Sequence, residues 1–238
     1  MFFGRSADEY QRLWNLRIDD LRGRAVLDCP CGPSTFVPTC RAAGVRATGA
    51  DPVLAGIPDS IESRGIADID DTLDLIRKQD PALASQDPKV RADEKRQALE
   101  RFVADFRRHG PDRPGADGRY LAAALPSPPI TDREIGLVLF AHLLFCGAGT
   151  EHGGMVENDA ALDLEIHLRA IDELVRIARS EIRLYPALAI NTENPSPHPW
   201  LAAVRSRLEK HGLTSRTVDT AYEQDFGTAD AILIATRD

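Results

Sequence analysis

The sequence has no apolar run long enough to cross a bilayer. Its longest, LVLFAHLLFC at 137–146, falls far short of the roughly 18 to 20 residues a spanning helix needs. No signal peptide is expected either, because MFFGRSADEYQRLW meets charge almost at once. The expectation is a cytoplasmic protein whose four cysteines stay reduced. Basic excess is absent too: 29 Lys and Arg face 37 Asp and Glu, for a net charge of −8. Such a surface repels phosphate backbones, so neither a nucleic-acid partner nor a membrane is expected. No internal repeat and no low-complexity tract is found. What remains is an ordinary globular composition, 43% hydrophobic and 28% charged, long enough for one α/β domain with a full core.

The pattern along the chain fits that class. ADEYQRLWNLRIDDL (7–21) carries Tyr10, Leu13, Trp14, Ile18 and Leu21 at helical spacing. Ser6 with Glu9 three residues later forms a capping-box signature ahead of it. RAVLD (24–28) is a first strand, STFVPTCRAAG (34–44) a helix with Pro38 in its first turn, and VRATGAD (45–51) a second strand. Strand, helix and strand in that order form a right-handed βαβ unit with parallel strands. Residues from about 53 to 118 then break the rhythm with two or three amphipathic helices, read as an insertion or lid.

YLAAAL (120–125) is a short third strand and IGLVLFAHLLF (135–145) a central strand buried on both faces. A helix at 161–179, a strand at 180–186 and a helix at 199–212 follow. The last two strands, LTSRTVDTAYEQ and ADAILIATR, stand too close together for a helical crossover. They are expected to pair as an antiparallel hairpin.

The chemistry concentrates in AVLDCPCGPSTF (25–36). A strand, a glycine turn and a helix start present backbone N–H groups to a ligand. An acid at the end of the next strand accepts hydrogen bonds from ribose hydroxyls, and Asp51 stands about 23 residues after Asp28, close to the expected spacing. Cys29 and Cys31 form a Cys-x-Cys rather than the Cys-x-x-Cys of structural zinc sites, so packing is the preferred reading and no metal is expected. His142, at the end of the apolar strand, reads equally as a core histidine or a site residue. His167 lies on an inward helical stripe and reads as core. Tyr222 and Glu223 either border the site or serve the hairpin. The acidic run Asp68, Asp70, Asp71 and Asp74 is a solvated helix face. PSPP at 126–129 precedes its strand and lacks an Asn or Asp, so it is not an amino-methyltransferase signature.

VLDCPCGPSTF with GADP resembles the first motif and second-strand acid of class I S-adenosylmethionine-dependent methyltransferases. The family loop is Asp/Glu-x-Gly-x-Gly-x-Gly. Here the acid is Asp28, Pro30 replaces the first glycine, Gly32 keeps the second and Ser34 replaces the third. ALPSPPITDREIGLVLFAHLLF, IDELVRIARSEIRLYP and VDTAYEQDFGTADAILIA resemble later family segments, the last in a generically described bacterial methyltransferase-like subgroup. Third-strand acids common in the family are not evident in YLAAAL.

The resemblance implies a Rossmann-like three-layer sandwich over 1–238, with a mostly parallel seven-stranded sheet, a C-terminal antiparallel hairpin and the helical insertion. It implies S-adenosylmethionine as cofactor and a small molecule as acceptor. Asp28, Cys29, Gly32 and Ser34 would surround the amino-acid end of the cofactor. Asp51 and Pro52 would meet the ribose, and Ala124 and Leu125 would border the adenine. Ala141 and His142 would face the methyl group, with His142 as candidate base. Ser34 is also a candidate N-cap of the first βαβ helix. The sulfonium suits an acidic, partly aromatic pocket. A non-catalytic protein that kept the fold remains the first alternative, and a nicotinamide-dependent oxidoreductase the second.

Overall fold

The structure is a computed structural model that describes residues 4–78, 88–113, 117–157, 160–190, 196–220, 222 and 231–237. Its seven strands are β1 (Ala25–Asp28), β2 (Arg46–Ala50), β3 (Tyr120–Leu121), β4 (Ile135–Ala141), β5 (Ala178–Tyr185), β6 (Leu213–Asp219) and β7 (Ala231–Arg237). They form one sheet in the order β3-β2-β1-β4-β5-β7-β6. β1, β2, β3, β4 and β5 run parallel, while β7 pairs antiparallel with both β5 and β6. The expected closing hairpin is therefore present, with its second strand inserted against the parallel sheet.

β4 is buried along its whole length. Alternate side chains enter opposite cores, as a two-residue period requires. Leu137, Leu139 and Ala141 face one apolar cluster, and Val138 and Phe140 the other. Each buried Leu, Val or Phe among them contributes about 1.5–3 kcal/mol. The first face is covered by α1 (Ala7–Trp14), α2 (Phe36–Ala42), α3 (Pro58–Lys78) and α4 (Pro88–His109). The second is covered by α5 (Leu164–Ile177) and α6 (Leu201–Lys210). Among the described residues no helix is long and apolar enough to cross a membrane.

Among its described residues the insertion holds two long helices, each opened by a proline that the first turn tolerates. Ile61 and Ile69 of α3 and Leu99, Phe102, Val103 and Phe106 of α4 belong to the same cluster as Val26 and Ala47 of the sheet. Tyr120 of β3 anchors α4. Its ring packs edge-on against Phe102 and Phe106, and its hydroxyl donates to Asp105 at 2.8 Å. Asp70 lies on the outer side of α3 and pairs with Arg96 of α4 at 2.6 Å, both largely exposed.

Several boundaries differ from those the sequence predicts. The helix expected at 7–21 stops at Trp14, because Asn15 turns left-handed (φ 47) and a 3-10 turn at Ile18–Leu21 follows. The strand expected at 120–125 pairs only over Tyr120–Leu121. The strand expected at 135–145 ends at Ala141, because His142 adopts φ 60. The capping box does form: Ser6 Oγ accepts from Glu9 N at 3.1 Å, and Ser6 N donates to Glu9 Oε2 at 2.7 Å.

Candidate functional site

β1 and β4 are neighbours although β2 and β3 lie between them in sequence. Sheet growth reverses there, and in open α/β sheets ligands bind outside the carboxyl ends of the strands at such a switch. A cavity of about 490 Å³ opens at that place, within the usual range for small-molecule sites. Its floor comes from the segments after β1 (Pro30, Cys31, Gly32), β2 (Asp51, Pro52, Val53) and β4 (His142, Leu143). Arg5 and Tyr10 reach it from the N-terminal segment, and Arg64 from α3.

The loop after β1 continues the sheet before it turns. Cys29 N donates to Leu139 O and Cys31 N to Ala50 O, each at 3.0 Å. Gly32 then takes φ +51, and a Cβ there would meet nothing within 4 Å. The position is open to the cavity it lines, and a side chain would meet backbone strain before it met atoms. Gly49, under the loop, is different: a Cβ would lie 3.0 Å from Cys31 Sγ. The buried cysteines are thus packed into this turn. Among the described residues no three His, Cys, Asp or Glu are grouped to hold a metal.

Asp51 spans the floor. Its Oδ2 accepts from Gly32 N at 3.1 Å and its Oδ1 from Val53 N at 3.0 Å. Burial raises its pKa against the pull of these two N–H groups and of Arg64. Each oxygen keeps a second lone pair, so the carboxylate can still accept from hydroxyl groups of a ligand.

Asp28 is placed otherwise than the sequence suggests. It is 1% exposed and does not line the cavity. Tyr10, whose ring stacks on Phe36, covers it. The Tyr10 hydroxyl lies 3.3 Å from both Asp28 Oδ1 and Cys31 O. Burial pushes the Asp28 carboxyl up to about 8, against hydrogen bonds from Tyr10 and Ser34. Ser34 is not an N-cap either. Its hydroxyl donates to Asp28 Oδ2 at 3.4 Å, and the N-cap residue of α2 is Thr35, whose side chain makes no capping bond. Thr35 Oγ1 instead accepts from Ala7 N at 2.9 Å, which docks the N-terminal segment onto α2.

Of the residues predicted for the site, the cavity brings together Gly32, Asp51, Pro52, Ala141 and His142. Cys29 packs in the core on the opposite face of the sheet. Ala124 is exposed in the loop after β3, and Leu125 packs half-buried against that same core. Neither lines the cavity. His167 is a core residue: its Nε2 accepts from Phe145 N at 2.9 Å and its Nδ1 faces Asp163 O at 2.6 Å. Tyr222 is buried and joins the site through Arg5, while Glu223 lies outside the described residues.

His142 is half-buried, with its backbone in the left-handed region that non-glycine residues rarely occupy. Its N–H still donates to Tyr185 O at 2.9 Å, so the ladder to β5 holds while the side chain swings to the cavity. Arg5 Nη2 donates to His142 Nε2 at 3.2 Å, and Arg5 Nε to the Tyr222 hydroxyl at 3.3 Å. Burial, with the positive charges of Arg5 and Lys95, drives the His142 pKa well below its ordinary value. The imidazole is therefore neutral at pH 7, with Nε2 as the acceptor of the Arg5 hydrogen bond.

Arg5 and Arg64 were not foreseen as site residues. Nothing local marks them, since both are brought in by the docking of segments remote from the loop. Tyr10 was visible only as part of an apolar stripe. The cavity is aromatic at Tyr10 and acidic at Asp51, as expected, but two guanidinium groups share it.

No family model matches the chain. The uncharacterized protein MJ0045 of Methanocaldococcus jannaschii is 26% identical over 197 residues, which cover 81% of this chain and 80% of that protein. Among solved structures, magnesium protoporphyrin IX methyltransferase from Synechocystis PCC 6803, crystallised with S-adenosylhomocysteine, matches with a TM-score of 0.51 at 14% identity. The match covers 98% of this chain and 84% of that one. At that identity the likeness is one of architecture. The chain has the Rossmann-like fold of the S-adenosylmethionine-dependent methyltransferases.

Proposed function

We propose that this chain is a class I S-adenosylmethionine-dependent methyltransferase acting on a small-molecule acceptor in the cytoplasm. The observation that carries the reading is the pairing of Gly32 and Asp51 on the floor of a cavity at the sheet's switch point. The donor set fits the cofactor. Asp51 offers two remaining lone pairs to ribose hydroxyls, and Gly32 leaves the floor free of side chain. Pro52 and Ala141 would border the bound molecule, and Tyr10 would give it an aromatic wall.

When bound, the cofactor supplies an electrophilic methyl group. The chain's own part is to place the acceptor in line and near contact, which is where most of the catalysis would come from. Neutral His142 would orient the acceptor through its hydrogen-bonded pair with Arg5. It would take the acceptor's proton only if the Arg5 hydrogen bond at Nε2 gives way. α3 and α4 would act as a cover over the site that restricts water.

Calorimetry with S-adenosylhomocysteine tests the reading. Wild type is expected to bind it, and Asp51→Ala to bind at least about tenfold more weakly, because hydrogen bonds to a charged partner are lost. No binding to wild type would sink the cofactor assignment, and equal binding by Asp51→Ala would sink the ribose role. A binding protein without turnover is the second reading. It is favoured by the Gly32 N–H, which is already bonded to Asp51, and by Pro30, which has no N–H to offer. Cofactor binding without release of S-adenosylhomocysteine across a panel of small acceptors would select it.

A further inference from the structure

We propose that the acceptor carries an oxyanion group, a carboxylate or a phosphate, which Arg5 ligates beside the carboxyl end of β4. The role of that anion as acceptor rests on the methyltransferase reading. The anion site itself rests on the charges of the cavity.

A guanidinium has five N–H donors and is always charged. Arg5 directs Nε at a hydroxyl and Nη2 at an imidazole, and neither partner carries a negative charge. Its Nη1 makes no hydrogen bond to a described residue, and Arg5, half-buried, lines the cavity. Among the described residues no carboxylate forms an ion pair with Arg5. Glu9, four positions along, is engaged by Lys95 and by the Ser6 N–H. Asp28, pushed up to about 8, is mostly protonated at pH 7.

Arg64 stands on the cavity wall contributed by α3 and makes no hydrogen bond or ion pair within the described residues. The carboxylate lining the same cavity, Asp51, already accepts from two backbone N–H groups. Two guanidinium groups thus face one carboxylate, within a chain whose net charge is −8. A sulfonium donor adds a further positive charge. Arg64 is exposed to solvent, so the half-buried Arg5 is the cation that an anionic acceptor would compensate and a neutral one would not, and charge complementarity of this kind sets specificity. Arg5 is the better ligand of the two. It is held by two hydrogen bonds at the β4 end, so its fork is fixed before the ligand arrives.

The test is calorimetric titration of the full chain, with and without saturating S-adenosylhomocysteine, using inorganic phosphate, succinate and uncharged succinamide as probes. Wild type is expected to bind at least one anion and not succinamide, and the stronger of the two anions identifies the headgroup. Arg5→Gln is expected to weaken that binding by about tenfold while S-adenosylhomocysteine affinity stays within about twofold. If circular dichroism shows Arg5→Gln unfolded, Arg5→Lys carries the test, with a loss of about threefold expected from the missing fork and unchanged binding overturning the proposal. Anion binding that is equal in wild type and Arg5→Gln, or absent from wild type, overturns it. So does loss of S-adenosylhomocysteine affinity in Arg5→Gln with 5′-methylthioadenosine still bound, since Arg5 would then serve the carboxylate of the cofactor. If anions bind through Arg5 but S-adenosylhomocysteine does not bind wild type, the methyltransferase reading fails and the anion site stands.

Discussion

Lys95→Met should be among the most damaging single changes in the chain, with a pH signature that identifies the cause. Lys95 reaches from α4 to Glu9 of α1, and the pair is nearly sealed, with side chains 1% and 11% exposed. Removing one member of a buried pair leaves the other uncompensated, at a cost of about 3–5 kcal/mol. The lower end is expected here, about 3 kcal/mol, because Glu9 keeps the Ser6 N–H at 2.7 Å and the nearby charge of Arg5.

In wild type, burial raises the Glu9 pKa, but Lys95, the Ser6 N–H and Arg5 together outweigh it and the net shift is downward from 4.5. A depressed carboxylate stabilises the fold above its unfolded pKa, and that contribution is lost as pH falls through the folded value. With Met at 95, burial acts unopposed by Lys95 and the folded pKa rises. Stability then falls as pH climbs above the ordinary glutamate value, by up to about 1.4 kcal/mol per pH unit. Urea unfolding near pH 4.5, 5.5 and 7 should therefore show a gap between wild type and variant that widens with pH. Glu9→Gln added to Lys95→Met should close much of it at pH 7. A gap below about 1 kcal/mol at pH 7, with parallel pH profiles, would refute the claim that the pair is buried and coupled.

Three further outcomes follow from the packing. Asp28 has its folded pKa raised to about 8 from 3.8, so its contribution falls as pH rises through that window and is constant above it. Asp28→Asn, which keeps an acceptor for Tyr10, should match wild type near pH 4 and exceed it in thermal stability at pH 8; equal melting temperatures at pH 8 would argue against a protonated buried carboxyl. Gly65 of α3 lies against α4, where a Cβ would stand 2.6 Å from Leu99 Cδ1. Gly65→Ala should cost about 1–3 kcal/mol by overpacking, less the ~1 kcal/mol that alanine gains in a helix. Leu99→Ala should be partly rescued by Gly65→Ala in a double-mutant cycle, and strict additivity would mean that the two helices do not meet there.

The parts of the site that are local in sequence were legible from it. A four-residue apolar strand, a turn with Gly32, a helix and a second strand ending in Asp51 form a βαβ unit through near-neighbour rules alone. Spacing could not show which atoms the carboxylates would meet. Asp28 became a buried acid under Tyr10 only through the docking of α1, and Ser34 turned to that acid instead of capping α2. The third strand read six residues long because alanines are silent about pairing, and only Tyr120 and Leu121 find partners on β2. The end of β4 is set by a left-handed backbone at His142, a conformation that an apolar run does not announce. Arg5 lies furthest from sequence reasoning, since an arginine reads as surface until a tertiary contact turns it inward, and Arg64, exposed on α3, meets the cavity only through the placement of that helix.

The position of β7 has a consequence for how the chain is made. Among the described residues β6 pairs with β7 alone, and β7 also covers the outer edge of β5. Until residues 231–237 leave the ribosome, β6 has no strand to join and the β5 edge, with Ile182 and Leu184, lies open to other chains. A nascent protein stalled before that point presents the kind of unpaired apolar edge on which aggregation starts. Completion of the sheet therefore waits on β7, which follows all its other strands in chain order although it sits between two of them.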